Sequence, residues 1–239
     1  KLGWERPNWF APAGTEARDI YTMGRQNWFD AVGAEHRHCR TAVGIFDQSS
    51  FAKYEVTGRD AAAALDFICA NNLLKAPGAL TYTQLLNSRG GIEADLTVAR
   101  LADDHFYIVT GTGFRTHDLA WIKDHLPKGD VAVTDITEAW GTLSLMGPKA
   151  REVLARVTGA DVTNAAFPFG TVREIAVAGT PVRALRVTYV GELGWELHVP
   201  LAATGTVFDA LMAAGAGVGI RPVGYRALES LRLEKAYRA

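Results

Sequence analysis

From residue 53 onward the chain runs twice through one order of segments, and that repeat constrains its architecture more than any single motif. KYEVTG alternates like a strand, RDAAAALDFICA takes helical spacing just after Gly58, and TYTQLLN and IEADLTVARL are strands joined through the turn SRGG. HFYIVTG is a third strand after Asp103-Asp104, THDLAWIKDHL a helix capped by Thr116, and VAVTDIT a closing strand. The order βαβββαβ returns from residue 141: strand TLSLMG, helix PKAREVLARVTG with Pro148 in its first turn, strands VREIAVAG, PVRALRVTYVG and GWELHVP, and helix TGTVFDALMAAG. Gly58 ends the first strand of one block as Gly147 ends that of the other. A gapless alignment of residues 95–109 on 185–199 sets Asp95 on Leu185 and Phe106 on Glu196, so each block offers a carboxylate where the other is apolar. Two fused α+β units about a pseudo-twofold axis meet along a groove, the usual place for a ligand. The period is too long for a solenoid and reads as a duplication.

The first 52 residues stand outside this repeat. An arm rich in aromatics and proline, with Trp4, Pro7, Trp9, Phe10 and Pro12, leads to helix NWFDAVGAEHRHCRTAVGIF and a short strand near Val43 to Phe46. The sequence lacks an initiator Met and LESLRLEKAYRA ends inside a helical pattern, so a fragment of a longer chain is expected. With 239 residues, 48% of them hydrophobic, real cores can form. A balance of 25 basic and 26 acidic residues gives no electrostatic reason to bind nucleic acid or an anionic membrane. The sequence reads as soluble and globular, with no apolar run of membrane-spanning length and no signal-peptide pattern, which favours the cytoplasm or, in a eukaryote, the mitochondrial matrix. Cys39 and Cys69 have no CxxC spacing and read as buried reduced thiols.

Among residues able to carry chemistry, Asp95 follows Gly90 and Gly91, which permit a tight turn and close backbone approach of a ligand. A turn-capping Asp and a ligand-holding Asp both fit that position. If Leu193, Trp195 and Leu197 face a core, Glu196 is a solvated strand residue; the opposite facing makes it a site residue. Tyr82, Tyr189 and Trp195 offer flat faces, either as core or as ligand platforms. Arg226 and Arg232 fit an anionic ligand tail or helical pairing with Glu229 and Glu234. The histidines form no metal signature, and the chain has neither GxGxxG nor a P-loop, VTGTGF lacking the third glycine and the lysine.

The strings GWERPNWF, EHRHCRTAVGIFDQSSFAKYEVTGRDA, YTQLLNSRGGIEADLTV, AFPFGTVREI, TYVGELGWELHVP and LRLEKAYR resemble the folate-binding half of dimethylglycine and sarcosine dehydrogenases. That half is similar to the glycine-cleavage T-protein, an aminomethyltransferase, and the likeness spans essentially the whole chain. It implies a T-protein-like α+β domain: residues 1–52 and 139–239 as a first subdomain with the arm, residues 53–138 as a second, ferredoxin-like one, and the C-terminal β-barrel of the family absent. It also implies tetrahydrofolate as cofactor and acceptance of a methylene group from an oxidised N-methyl amine, giving 5,10-methylenetetrahydrofolate. Alternatives of the same kind are a T-protein-like aminomethyltransferase, a folate-dependent demethylase, or a non-enzymatic folate-binding module. Matched motif by motif, Asp95 takes the catalytic position of GGxxxDL, and Glu196 and Tyr189 the pterin-binding positions of YxGExGxE. Tyr82 and Thr97 flank Asp95 as further folate contacts, and Arg226 matches the arginine before LRLE. The implied partners are folate, a methylated amine and a covalently linked flavoprotein half, with FAD only in that upstream half; nucleic acid and membrane are not among them.

Overall fold

The computed structural model describes residues 3–16 and 18–238. Helix α1 (Phe29–Thr41) leads into β1 (Val43–Asp47). A first run follows: β2 (Ala52–Thr57), α2 (Ala61–Ile68), β3 (Leu80–Leu86), β4 (Ile92–Arg100), β5 (His105–Thr110), α3 (Arg115–His125) and β6 (Ala132–Asp135). A second comprises β7 (Trp140–Met146), α4 (Ala150–Ala155), β8 (Val172–Val177), β9 (Thr180–Leu185), β10 (Gly194–Pro200), α5 (Thr204–Gly215) and β11 (Ile220–Pro222), and α6 (Tyr225–Glu234) closes the chain. The strands form two open mixed α+β layers, a five-stranded sheet ordered β3-β4-β5-β2-β6 and a six-stranded sheet ordered β11-β1-β7-β10-β9-β8. Every pairing is antiparallel except β1 with β11.

Strand alternation places helices outside and the two sheets face to face. In the five-stranded sheet Tyr54, Val56, Leu96, Val98, Phe106 and Ile108 form a core with Ala61 and Leu65 of α2 and Ile122 of α3. In the six-stranded sheet Leu143, Leu145, Trp195, Leu197 and Val199 do the same with Val153 of α4 and Val207 and Leu211 of α5. The inner faces meet through Leu80, Ala99, Tyr107 and Val109 of one sheet against Val172 and Leu185 of the other. Gly58 and Gly147 make the strand-to-helix corner of each run at φ +128° and +139°. A Cβ there would sit 2.1 Å from Asp130 O or 2.4 Å from Ala42 O, so only glycine fits either corner.

Several sequence expectations change. The β9–β10 register sets Glu196 opposite Leu185, whereas β4–β5 sets Phe106 opposite Arg100. Aligned without gaps, Arg100 falls on Val190, so Glu196 would need Val190 opposite it and has Leu185 instead. The connection after β9 is longer than that after β4, and Phe106 faces helices while Glu196 faces the other sheet. Helix α3 begins at Arg115, so Thr116 lies inside it and caps nothing; α4 begins at Ala150, two residues past Pro148. Helix α6 stops at Glu234, followed by Ala236 at φ +56°, while the last residue of the helical pattern, Ala239, lies outside the described residues, as do Lys1 and Leu2 of the arm. Among the described residues one helical stretch, Leu201–Val218, does reach membrane length, 18 residues at mean hydropathy 1.4. Its alanines with Leu201, Val207, Phe208, Leu211, Met212 and Val218 produce that value, and its buried residues Val207 and Leu211 pack on the six-stranded sheet.

Candidate functional site

Asp95 lies well inside β4 on the inner face of its sheet, half-buried. Turn capping belongs instead to Asn87, whose Oδ1 accepts the N–H groups of Arg89 and Gly91 at 3.0 and 2.9 Å. Asn87 Nδ2 also donates to Glu93 Oε1 at 2.7 Å, tying the turn to the start of β4. The β3–β4 register places Gln84 opposite Asp95 and Tyr82 opposite Thr97. From there Tyr82 Oη donates to Asp95 Oδ2 at 2.8 Å and Gln84 Nε2 to Asp95 Oδ1 at 3.3 Å. Burial, reinforced by the Asp95 carboxylate, raises the Tyr82 phenol above its ordinary pKa, so the proton stays on tyrosine. Thr97, half-buried two residues along the same face, completes this surface.

Tyr189 comes from the irregular segment 186–193 between β9 and β10. Thr188 Oγ1 accepts the N–H groups of Val190 and Gly191 at 3.2 and 3.0 Å. Arg40 of α1 holds the segment from behind, donating to Val190 O and to Glu192 Oε1, the latter at 3.1 Å, and its other guanidinium nitrogen donates to Leu231 O of α6 at 2.9 Å. Tyr189 stacks on Tyr237 and donates to Arg238 O at 2.6 Å. Burial raises its pKa, and its ring packs against the buried cluster that includes Val190, Val223 and Leu228. Tyr82, Asp95 and Thr97 are thus brought to one place by β3 and β4, while Tyr189 sits on the segment held between α1 and α6.

Glu196 stands on the facing sheet. Trp195 and Leu197 do point into a helix-covered core, yet Glu196 is only 13% exposed, because the second sheet covers the face a lone strand would leave to water. Trp195 is therefore core, edge-on to Phe167, and offers no platform. Around Glu196 runs a buried polar seam. Its cross-strand neighbour Ser144 donates to Gln48 Oε1, and His198, on the same face, places Nε2 3.6 Å from Glu196 Oε2. Tyr107 Oη and Thr142 Oγ1 stand 2.8 and 3.2 Å from His198 Nδ1. Lys53 of β2 is fully buried and donates to Ser49 O and Trp140 O at 2.7 and 2.9 Å; burial pulls its amine down to about 8, against the charges of Asp47 and Glu196. Arg183 crosses between sheets, 3.6 Å from Glu55 and over the Tyr107 ring. Gln48 Nε2 and His198 Nε2 are buried without hydrogen-bond partners, an arrangement that a polar ligand beside Glu196 would relieve.

Arg226 is not brought to either carboxylate. Its guanidinium is bound by Asp19 of the arm at 2.5 Å and lies 3.8 Å over Trp28, so the helical partner Glu229 goes to Arg232 instead. Gln84, Lys53, Gln48 and His198 were not singled out from the sequence. His198 was within reach of strand alternation, two residues from Glu196, but the others depend on register and on the second sheet.

Comparison with known proteins gives this arrangement a family. The GCVT N-terminal domain model matches residues 1–239. Mouse mitochondrial dimethylglycine dehydrogenase is 38% identical over 239 residues, covering 99% of this chain and 27% of that protein. Human mitochondrial sarcosine dehydrogenase is 38% identical over 275 residues, covering 99% of this chain and 30% of its own length. The structure of the glycine cleavage system aminomethyltransferase T from Bartonella henselae superposes with a TM-score of 0.78 at 27% identity, over 93% of this chain and 60% of that one. The chain spans less than a third of the length of these dehydrogenases. It belongs to the GCVT N-terminal domain family, as an aminomethyltransferase-type domain related to the dimethylglycine and sarcosine dehydrogenases.

Proposed function

We propose that the chain binds tetrahydrofolate between its two sheets and takes part in transfer of a methylene group from an oxidised N-methyl amine, giving 5,10-methylenetetrahydrofolate. The observation carrying this reading is the pair of carboxylates on facing sheets in unlike company: Asp95 beside hydroxyl and amide donors, Glu196 in a buried seam with unpartnered donors beside it. When bound, tetrahydrofolate supplies a nucleophilic ring nitrogen for the one-carbon unit. Glu196 can accept two parallel N–H bonds from a pterin edge, which a carboxylate suits by geometry. Asp95, held by Tyr82 and Gln84, has its carboxylate oxygens fixed by two donors and lone pairs left to take a proton released at the reacting end. In this reading Tyr189, Tyr82 and Thr97 are further folate contacts, and Arg226 serves an anionic tail by exchanging Asp19. The chain has no dinucleotide-binding glycine turn, so FAD and oxidation of the methylated amine belong to a linked flavoprotein half, in mitochondria for a eukaryotic host and in the cytoplasm otherwise.

The same reading takes residues 1–52 with 139–239 and residues 53–138 as two subdomains arisen by duplication. Strand order supports this: β8-β9-β10-β7 then β11 parallels β3-β4-β5-β2 then β6, with β1 inserted. The T-protein superposition favours a stand-alone aminomethyltransferase as the second reading.

Titration of the intact protein with 5-formyltetrahydrofolate tests the assignment. Glu196→Ala should weaken binding about tenfold or more, and Asp95→Asn should keep binding while slowing single-turnover methylene transfer at least tenfold, the scale of a lost charged hydrogen bond or acid–base group. Unchanged affinity in the first variant would reject the pterin role, and an unchanged rate in the second would remove Asp95 from the chemistry.

A further inference from the structure

The buried seam beside Glu196 contains one group whose geometry is specified from both ends. His198 is fully buried on β10, two residues from Glu196 and on the same face. Both Tyr107 Oη and Thr142 Oγ1 converge on its Nδ1, and Tyr107 is itself fully buried. Burial raises the Tyr107 phenol above its ordinary range, so it stays a neutral hydroxyl that can donate a hydrogen bond to Nδ1. Burial likewise holds the imidazole below its usual pKa, against the opposing influence of Glu196 on its own strand and with Lys53 of β2 and Arg183 of β9 also facing it. A neutral imidazole whose Nδ1 accepts must carry its proton on Nε2. That Nε2 has no hydrogen-bond partner, and Glu196 Oε2 stands 3.6 Å away, one small side-chain adjustment from closure. Such bonds are often long without ligand and tighten when it binds.

Resting on the folate reading, we propose that His198 is a positioning residue: Tyr107 fixes its Nε2–H tautomer, and that N–H holds one oxygen of Glu196 so that the carboxylate meets the pterin edge in a single orientation. The relay Tyr107 to His198 to Glu196 spans both sheets, so ligand affinity depends on their mutual placement. One oxygen of Glu196 can accept from His198 and still use its second lone pair toward the ligand. Burying an unpartnered N–H is unfavourable, so closing this contact favours the bound orientation.

The test uses the intact protein, 5-formyltetrahydrofolate and tryptophan fluorescence. Glu196→Ala serves as the reference for the folate reading. His198→Leu should lose about tenfold in affinity, the loss of one charge-assisted bond. His198→Gln, whose amide N–H reaches where Nε2 does, should recover to within about threefold of wild type, a recovery that a purely packing role would not give. Tyr107→Phe, which deletes one hydroxyl, should weaken binding about threefold, and nitrogen NMR should show His198 protonated at Nε2 in the wild type. Should His198→Leu fail to fold, Tyr107→Phe and the tautomer decide the matter. A wild-type affinity in His198→Leu, no recovery in His198→Gln, or a proton on Nδ1 in the wild type overturns the proposal while a weakened Glu196→Ala leaves the folate reading standing. An unweakened Glu196→Ala overturns both.

Discussion

At the scale of single residues, the seam between the sheets owes its character to polar and charged side chains buried within it. Lys53 is the sharpest case: fully buried, its amine hydrogen-bonded to two carbonyls, and its pKa pulled to about 8 by burial. Because the folded value lies below the unfolded one, the unfolded chain binds the extra proton between the two, and stability rises with pH across that interval. The penalty is full below pH 8 and is relieved as pH climbs toward 10.5. Urea unfolding of wild type and Lys53→Met at pH 7, 8, 9 and 10 isolates it, since other groups titrate alike in both. The difference should shift toward the wild type by up to about 3 kcal/mol, the equivalent of 2 to 3 pKa units. A difference independent of pH would show that Lys53 is not strained by its burial.

At the scale of elements, much of the chain was legible because helices and strands carry their own periodicity. Helix α5 spans the residues its pattern marks, and β2, β4, β5, β7 and β10 fall where alternation puts them. β11 was missed because Ile220–Pro222 is too short to show alternation and ends in proline. The gapless alignment failed for a related reason: the length of an irregular connection leaves no periodic trace. Glu196 shows the limit for the site. Its facing was readable, but the covering sheet was not, so the default of a solvated strand residue did not apply. The segment 186–193 is the least regular part of the site and is held chiefly by Arg40, whose guanidinium links α1, the segment and α6. Arg40→Ala leaves Val190 O and Leu231 O without that donor and should cost roughly 2–4 kcal/mol, with weaker folate binding through a displaced Tyr189. Arg40→Lys should recover only part, since a compact ammonium with three donors cannot reach all four of Val190 O, Glu192, Leu231 O and Glu234. Equal urea midpoints for wild type and Arg40→Ala would assign the segment's order to Thr188 and packing instead.

At the scale of the whole molecule, the arm that precedes α1 decides what Arg226 is free to do. It lies against α6 so that Pro7 O and Asn8 O accept the N–H groups of Tyr225 and Arg226 at 3.0 Å, while Glu35 accepts those of Phe10 and Gly224. The first turn of α6, which has no partners of its own, is thereby capped from outside. Gly224 permits this approach, since a Cβ there would stand 2.4 Å from Asn8 O. Asp19 completes the clamp by accepting from Trp9 Nε1 at 2.8 Å and binding Arg226. Burial would raise the Asp19 carboxyl, but the bonds from Arg226 and Trp9 outweigh it and hold it below 3.8. A depressed carboxyl contributes stability above its unfolded value and loses it as pH falls through the folded one. Arm cleavage by an acid-active protease should therefore be faster in Asp19→Asn than in wild type above pH 4 and converge with it below that. One guanidinium cannot give Asp19 and an anionic ligand tail its full set of donors at once. If Arg226 holds the tail, Asp19→Asn removes the competitor and tightens a polyglutamylated tetrahydrofolate by roughly threefold to tenfold, about 1 kcal/mol of relieved competition. Unchanged affinity in that variant, with faster arm cleavage, would confine Arg226 to fastening the arm and leave the folate site to the two sheets.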